Sequence, residues 1–133
     1  MPGVVVDTHA ILWYLAGDMR LSATALEVLD ATTAAGEPIY VPAITLIELS
    51  YLIEKGRLPG EVRERLLKAL DDAESACCLP PLDRRVADAM EFVPRGEVPD
   101  LPDRIIAATP VALLAPLISR DGRIRSSRVQ TIW

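Results

Sequence analysis

Short apolar segments alternate with longer amphipathic segments along the whole chain. The three consecutive valines in residues 3–6 show no alternation with polar residues, which predicts a short strand buried on both faces. Comparable short runs recur at intervals, each bounded by proline, glycine or charged residues. They predict four further strands at 38–41, 76–79, 116–119 and 129–132.

The segments between these runs have apolar residues at helical spacing. Ser22 is predicted to cap the second helix, and Gly56 to end the third. Asp100 and Asp103 have the spacing of a capping box at the start of the last long helix. The predicted helices cover residues 8–15, 23–34, 43–55, 60–74, 82–92 and 101–114.

This order of strands and helices predicts an α/β fold. A mainly parallel sheet would lie between two layers of helices, with right-handed connections. At 133 residues the chain is predicted to form a single domain, residues 1–133, that is large enough to bury a core. Half of its residues are apolar and 25% are charged, which is typical of a folded domain and not of a disordered one.

The net charge of −5 argues at first against a nucleic acid as partner, but the charges are unevenly distributed. Residues 104–133 contain five arginines and one acid, whereas residues 1–103 contain nine basic and 18 acidic residues. A local arginine cluster can bind phosphate in an acidic protein because salt screens charges beyond about 8 Å. A solvated polar tail is the alternative interpretation.

The sequence predicts a cytoplasmic protein without a membrane segment. The longest weakly polar run, residues 105–119, contains two prolines and falls short of the ~18 residues that a membrane span requires. The apolar start is interrupted by Asp7, unlike a signal peptide. Cys77 and Cys78 are adjacent, a spacing that rarely allows a relaxed disulfide, and thus fit a reducing compartment.

Four acidic residues lie against apolar elements and are predicted to share one site: Asp7, Glu48, Asp103 and Asp121. Asp7 and Asp121 come just after predicted strands, so both belong at the carboxyl edge of the sheet, where functional groups gather. A carboxylate beside a buried element is costly unless it is paired or binds a cation. A carboxylate cluster without several cysteines or histidines indicates Mg²⁺ or Mn²⁺, the ions that serve phosphodiester hydrolysis.

Each acid also has a structural interpretation when it is considered alone. Asp7 could cap the following helix, Asp103 could favour a helix N-terminus, and Asp121 before Gly122 could belong to a turn. Glu48 is the hardest to explain structurally, because its neighbours Ile47 and Leu49 are expected to be buried. The coincidence of four favours the functional interpretation, with Asp121 ranked last.

Several other polar and aromatic residues have two open interpretations. His9, the only histidine, could be a general base, but a supporting role near Asp7 is favoured. Arg104 and Arg120 flank the acids and could contact phosphate or face solvent. The aromatic residues on helices are expected to serve packing or a subunit interface; they are Trp13, Tyr14 and Tyr51. Thr45, one turn before Glu48, could support that acid, and Ser119 could support Asp121.

Four blocks of the sequence together resemble a PIN domain. They are VVVDTHAILW from residue 4, ITLIELSYLIEKGRL from residue 44, PDRIIAAT from residue 102 and APLISRDGRI from residue 115. In particular, the chain resembles the toxins of VapBC-type toxin–antitoxin modules, over nearly its whole length. The combination and order of the blocks are specific, whereas each block alone is weak.

The resemblance implies a three-layer α/β/α sandwich around a parallel sheet of four or five strands. It implies a Mg²⁺- or Mn²⁺-dependent endoribonuclease toxin that acts on RNA, forms a homodimer and is inhibited by a cognate VapB-type antitoxin. It carries the four acids over as catalytic and metal-binding residues, and it prefers Asp103 to Asp100 because an Arg, two aliphatic residues and Ala follow. Thr8 and Ser119 are implied as hydroxyls that line the site.

The chain departs from the family pattern at two positions. Pro110 stands where a small helix former is usual, so the helix is expected to kink or to lose one backbone hydrogen bond. Leu114 stands where a helix-ending glycine is ordinary. Neither position is an acid, so the expected effect is local distortion.

Two other functional interpretations compete with the nuclease. One is a catalytically silent binding protein with a PIN-like fold. The other is a phosphoacceptor receiver domain, which fits poorly because it requires adjacent acids after the first strand and a late lysine. The only lysines are Lys55 and Lys68.

Overall fold

A computed structural model describes residues 3–133 and shows a five-stranded, fully parallel sheet. The strands are β1 (Val4–Val6), β2 (Ile39–Tyr40), β3 (Cys77–Cys78), β4 (Leu117–Ile118) and β5 (Thr131–Ile132). Their spatial order is β3-β2-β1-β4-β5. The first strand is therefore central, with β2 and β3 on one side of it and β4 and β5 on the other. The predicted α/β class and the parallel sheet are confirmed.

Seven α-helices and one short 3₁₀ segment connect the strands in the described range. They are α1 (Thr8–Ala16), α2 (Ala23–Ala34), α3 (Ala43–Glu54), α4 (Gly60–Asp71), α5 (Arg84–Ala89), the 3₁₀ segment Met90–Phe92, α6 (Leu101–Leu113) and α7 (Gly122–Arg125). The helix predicted at 82–92 begins two residues later because Asp83 caps its first turn. The sequence did not predict α7.

Helices cover both faces of the sheet, and the three valines of β1 show why. Val4 and Val6 point into a core that also contains Ile11, Leu29 and other residues of α1–α4. Val5 points to the opposite face, where Ile106 and neighbours on α5 and α6 pack against it. All three valines are almost completely buried, which explains the absence of alternation in the sequence.

The helix α6 runs through Pro110 and ends at a residue with a left-handed backbone. Proline has no N–H, so one backbone hydrogen bond is missing there, yet the helix continues to Leu113. Leu114 then takes φ 55° and ψ 43°, the conformation that usually selects glycine, with its side chain 85% exposed. Both predicted departures are therefore local. No helix in residues 3–133 is long and apolar enough to cross a membrane.

Candidate active site

All four predicted acids line one pocket at the carboxyl edge of the sheet. Asp7 follows β1 and Asp121 lies just beyond β4, and the order of the strands reverses between these two neighbours. Glu48 comes from α3, and Asp103 comes from the first turn of α6. The pocket has a volume of about 490 Å³, and its other lining residues are Thr8, His9, Trp13, Leu52, Ile106, Arg120 and Ile124.

Asp7 and Asp121 each cap a helix as well as face the pocket. Asp7 Oδ1 accepts a hydrogen bond from the Ala10 amide at 2.9 Å, at the start of α1. Asp121 Oδ1 accepts from the amides of Arg123 and Ile124, at the start of α7. Asp7 therefore caps a helix, as one interpretation of the sequence has it. This does not exclude a functional role, because the capping bonds of Asp7 and of Asp121 each use only one carboxylate oxygen.

The fully buried Ser119 connects these two acids. Its Oγ accepts a hydrogen bond from the Asp121 amide at 3.0 Å. The Ser119 hydroxyl also interacts with the Asp7 carboxylate and lowers the pKa of Asp7. Burial is the larger effect and raises that pKa above its usual value of 3.8. The serine therefore favours the charged form of Asp7.

Glu48 is held by a hydroxyl group from α1, which in turn contacts a hydroxyl group from α3. Thr8 donates its hydroxyl to Glu48 Oε1 at 2.9 Å, and the buried Thr45 hydroxyl lies 3.2 Å from Thr8 Oγ1. Burial raises the pKa of Glu48, and the bond from Thr8 lowers it in part. The argument that both neighbours of Glu48 are buried is wrong for Ile47, which is 59% exposed, whereas Leu49 is completely buried.

The carboxyl group of Asp103 has the most strongly perturbed pKa in the pocket. Burial, followed by repulsion from Asp100, Asp121 and Glu48, raises the pKa from 3.8 to about 7. Asp100 itself is the N-cap of α6 and accepts the Asp103 amide at 3.2 Å. Of the two bonds in the predicted capping box, this is the one that the structure shows. Asp100 therefore acts on the pocket electrostatically although it does not line it.

These acids repel one another, and the repulsion is visible in their pKa values. Coulombic interactions with other carboxylates raise the pKa of Asp7, Glu48 and Asp103. Within residues 3–133, no three side chains of His, Cys, Asp or Glu converge as closely as direct ligands of one ion. The carboxylates share one pocket but keep their distance across it.

Arg104 does not contribute to the pocket, contrary to the supporting role considered from the sequence. Its Nε donates to the Val93 carbonyl at 2.9 Å, and Nη2 donates to the Met90 carbonyl at 3.2 Å. The guanidinium group thus ties α6 to the 3₁₀ segment and the loop after it. It does not line the pocket, because proximity to Asp103 in the sequence does not determine the direction of the side chain.

Trp13 and Arg120 form a wall of the pocket that the sequence did not reveal. Trp13 is 7% exposed and packs against His9 and Trp133, so the expected packing role is correct. The guanidinium carbon of Arg120 lies 4.8 Å from the centre of the Trp13 ring, a cation–π distance. No ion pair of Arg120 with an acid is found in residues 3–133. The positively charged Arg120 side chain therefore lines the same pocket as the acids without forming an ion pair with them.

The profile of the PIN domain family matches residues 4–129, so the chain belongs to the PIN domain family. The resemblance inferred from the four sequence blocks is thereby confirmed.

One curated protein and two solved structures are similar to this chain. Ribonuclease VapC22 from Mycobacterium tuberculosis is 27% identical over 136 residues, an alignment that covers the whole of both proteins. The fold is shared with VapBC2 from Rickettsia felis, solved bound to a DNA fragment from its promoter (TM-score 0.69, 14% identity, 97% of each chain). It is also shared with FitAcB from Neisseria gonorrhoeae (TM-score 0.58, 19% identity, 98% of this chain and 96% of that chain).

Proposed function

We propose that this chain is a divalent-metal-dependent endoribonuclease and the toxin of a type II toxin–antitoxin pair. The observation that carries the proposal is the single pocket lined by Asp7, Glu48, Asp103 and Asp121. Membership of the PIN domain family and the similarity to a protein named Ribonuclease VapC22 support it.

The chemistry of the four acids fits Mg²⁺ or Mn²⁺. All four offer oxygen ligands, which these ions prefer, and one or two direct carboxylates suffice because the ions keep several waters. Each capping acid keeps one oxygen that no capping bond uses. A divalent charge would also relieve the repulsion that raises the pKa of Asp103 to about 7.

Each pocket residue has a definite part in this proposal. Asp7, Glu48, Asp103 and Asp121 would hold the cation, some of them directly and the others through its waters. When bound, it would orient and acidify a water and offset charge developing on the phosphate. Thr8 orients Glu48 through its hydrogen bond, and Ser119 favours the charged form of Asp7. Arg120, held over Trp13, binds the anionic phosphate at the mouth of the pocket.

The same function implies three partners: an RNA substrate, a VapB-type antitoxin and a second copy of the chain in the cytoplasm. One observation supports the homodimer. Ile47 and Tyr51, one turn apart on α3, are 59% and 55% exposed, an unusual state for large apolar side chains. Ile47→Glu should shift the protein to the monomer in light scattering, while Met19→Glu, which changes an exposed residue outside α3, should not.

Cleavage of RNA by the purified protein tests the catalytic proposal. We expect the wild type to cleave RNA with Mn²⁺ and to stop when EDTA is added. Asp7→Asn and Glu48→Gln should each lose at least about a hundredfold in rate, since each removes a charge from the cation site. Asp88→Asn, an exposed acid on α5 with the same change in charge, is the matched control and should retain full activity.

The competing function is a catalytically silent binding protein with this fold. It is indicated by no cleavage in any divalent metal and no change in thermal stability with Mn²⁺. A bound ion should instead stabilise the folded state by about 2.7 kcal/mol at a hundred times its dissociation constant. Equal cleavage by the wild type and Asp7→Asn would contradict the assignment of the site.

A further inference from the structure

A second groove adjoins the acid pocket, and its charge is opposite. It lies between α1, the end of α3 and the start of α4, with a volume of about 330 Å³. Arg20, Arg57 and Arg65 line it, and we call it the arginine groove. Four residues line both cavities, so the two adjoin each other; they are Thr8, His9, Trp13 and Leu52.

The arginine groove is cationic although the whole protein has a net charge of −5. Asp18 is the only acid in its lining, and Arg20 already binds both of its carboxylate oxygens, at 2.7–3.2 Å. Arg57 and Arg65 are exposed and form no ion pair with an acid in residues 3–133. Two positive charges are therefore free to meet an anion.

Part of the lining of the arginine groove is apolar, which restricts the class of ligand. Leu12, Leu58 and Val62 line it together with the arginines. A ligand with a regular row of anionic groups and flat apolar rings fits both features, and an unpaired RNA strand has both. His9 is exposed where the two cavities meet, with one side of its ring on Trp13, and can stack on a base there.

We propose that the arginine groove binds the segment of an unpaired RNA strand that flanks the cleaved phosphate. The inference rests on the proposed ribonuclease function and adds the path of the substrate. One phosphate of the strand lies in the acid pocket near Arg120, and the following nucleotides cross His9 and lay their phosphates along Arg57 and Arg65. The groove therefore favours unpaired RNA, because bases that are paired and stacked in a duplex cannot contact its apolar lining.

The test compares two double variants with the same change in charge. Arg57→Gln/Arg65→Gln changes the groove, and Arg84→Gln/Arg95→Gln changes exposed arginines that line no described cavity. Binding of a fluorescent single-stranded oligoribonucleotide of about 12 nucleotides is measured by anisotropy at several salt concentrations. EDTA is present, so that no cleavage occurs and no bound cation contributes to the affinity of the probe.

The groove variant should bind the probe roughly tenfold more weakly, and its salt slope should fall by about 1.4, since each lost contact with a single strand contributes about 0.7. The control variant should stay within about twofold of the wild type because its arginines are remote and screened. With Mn²⁺ the groove variant should show a raised KM and an unchanged kcat. Melting temperatures of both variants verify folding.

Equal affinities of the two double variants for the probe overturn the proposal. The proposal is also overturned if the groove variant binds the probe as tightly as the wild type. The groove would then be a candidate binding site for a protein segment. These results differ from failure of the ribonuclease function. In that case the wild type cleaves no RNA, while the comparison of binding still decides the role of the groove.

Discussion

The raised pKa of Asp103 predicts that the acid pocket destabilises the protein when no metal is bound. In the unfolded chain this carboxyl group has a pKa near 3.8, whereas in the folded protein it rises to about 7. Between these values the folded state holds a proton that the unfolded state has released. The free energy of unfolding therefore falls as pH rises through this interval, and the full cost is present above about pH 7.

The size of this effect follows from the pKa. A rise from 3.8 to about 7 corresponds to about 4 kcal/mol for a fully dehydrated group, at about 1.4 kcal/mol per pKa unit. Asp103 is only half-buried, so solvent screens its interactions, and about 1–2 kcal/mol is a more realistic value. Asp103→Asn removes the charge with little change in shape. It should stabilise the metal-free protein by this amount, or about 3–8 °C in melting temperature.

Urea unfolding in EDTA between about pH 4 and pH 8 measures this difference. The gain from Asp103→Asn should be largest near pH 8 and smallest near pH 4, where the wild-type carboxyl group is protonated when folded and only about half ionised when unfolded. Glu27→Gln, an exposed acid on α2, is the control for the change in net charge. A gain that is the same at every pH, or a loss of stability near pH 8, would refute the reasoning.

Three further substitutions test individual parts of the structure. Leu114→Gly should stabilise the protein by about 1 kcal/mol in urea unfolding because it relieves the left-handed backbone of an exposed side chain, whereas Leu113→Gly inside the helix should destabilise it by a similar amount. Arg104→Ala should lower the free energy of unfolding by about 1–2 kcal/mol, because two hydrogen bonds to carbonyls are lost. The salt dependence of RNA binding should not change. Weaker RNA binding at unchanged stability would contradict this. Thr8→Val should raise the pKa of Glu48 and weaken Mn²⁺ binding in calorimetry, with recovery in Thr8→Ser; equal Mn²⁺ affinities would contradict the role of the hydroxyl.

The elements of the fold could be predicted from local sequence signals. The buried valines of β1, the cap at Ser22 and the cap at Asp100 before α6 lie where the sequence indicates. The short helix α7 was not predicted because four residues are too few for a periodic pattern. Asp121, for which a turn was considered, is the N-cap of this helix.

The candidate site could be predicted in its acids but not in its surroundings. Strand ends brought Asp7 and Asp121 together, since parallel strands share a carboxyl edge. The exposure of Ile47 was missed because α3 is apolar all round, so its periodicity does not reveal the outer face. The contacts of Arg104 and Arg120 depend on residues far along the chain or on rotamers, and no local pattern encodes them.

The central claim is that the four carboxylates form one shared site for a divalent cation. Isothermal titration calorimetry, in which Mn²⁺ is added to the metal-free protein near pH 7.5, tests it most directly. We predict saturable binding by the wild type that is weakened roughly tenfold or more in both Asp7→Asn and Asp103→Asn. Absence of binding by the wild type, or equal affinities in all three proteins, would contradict the claim.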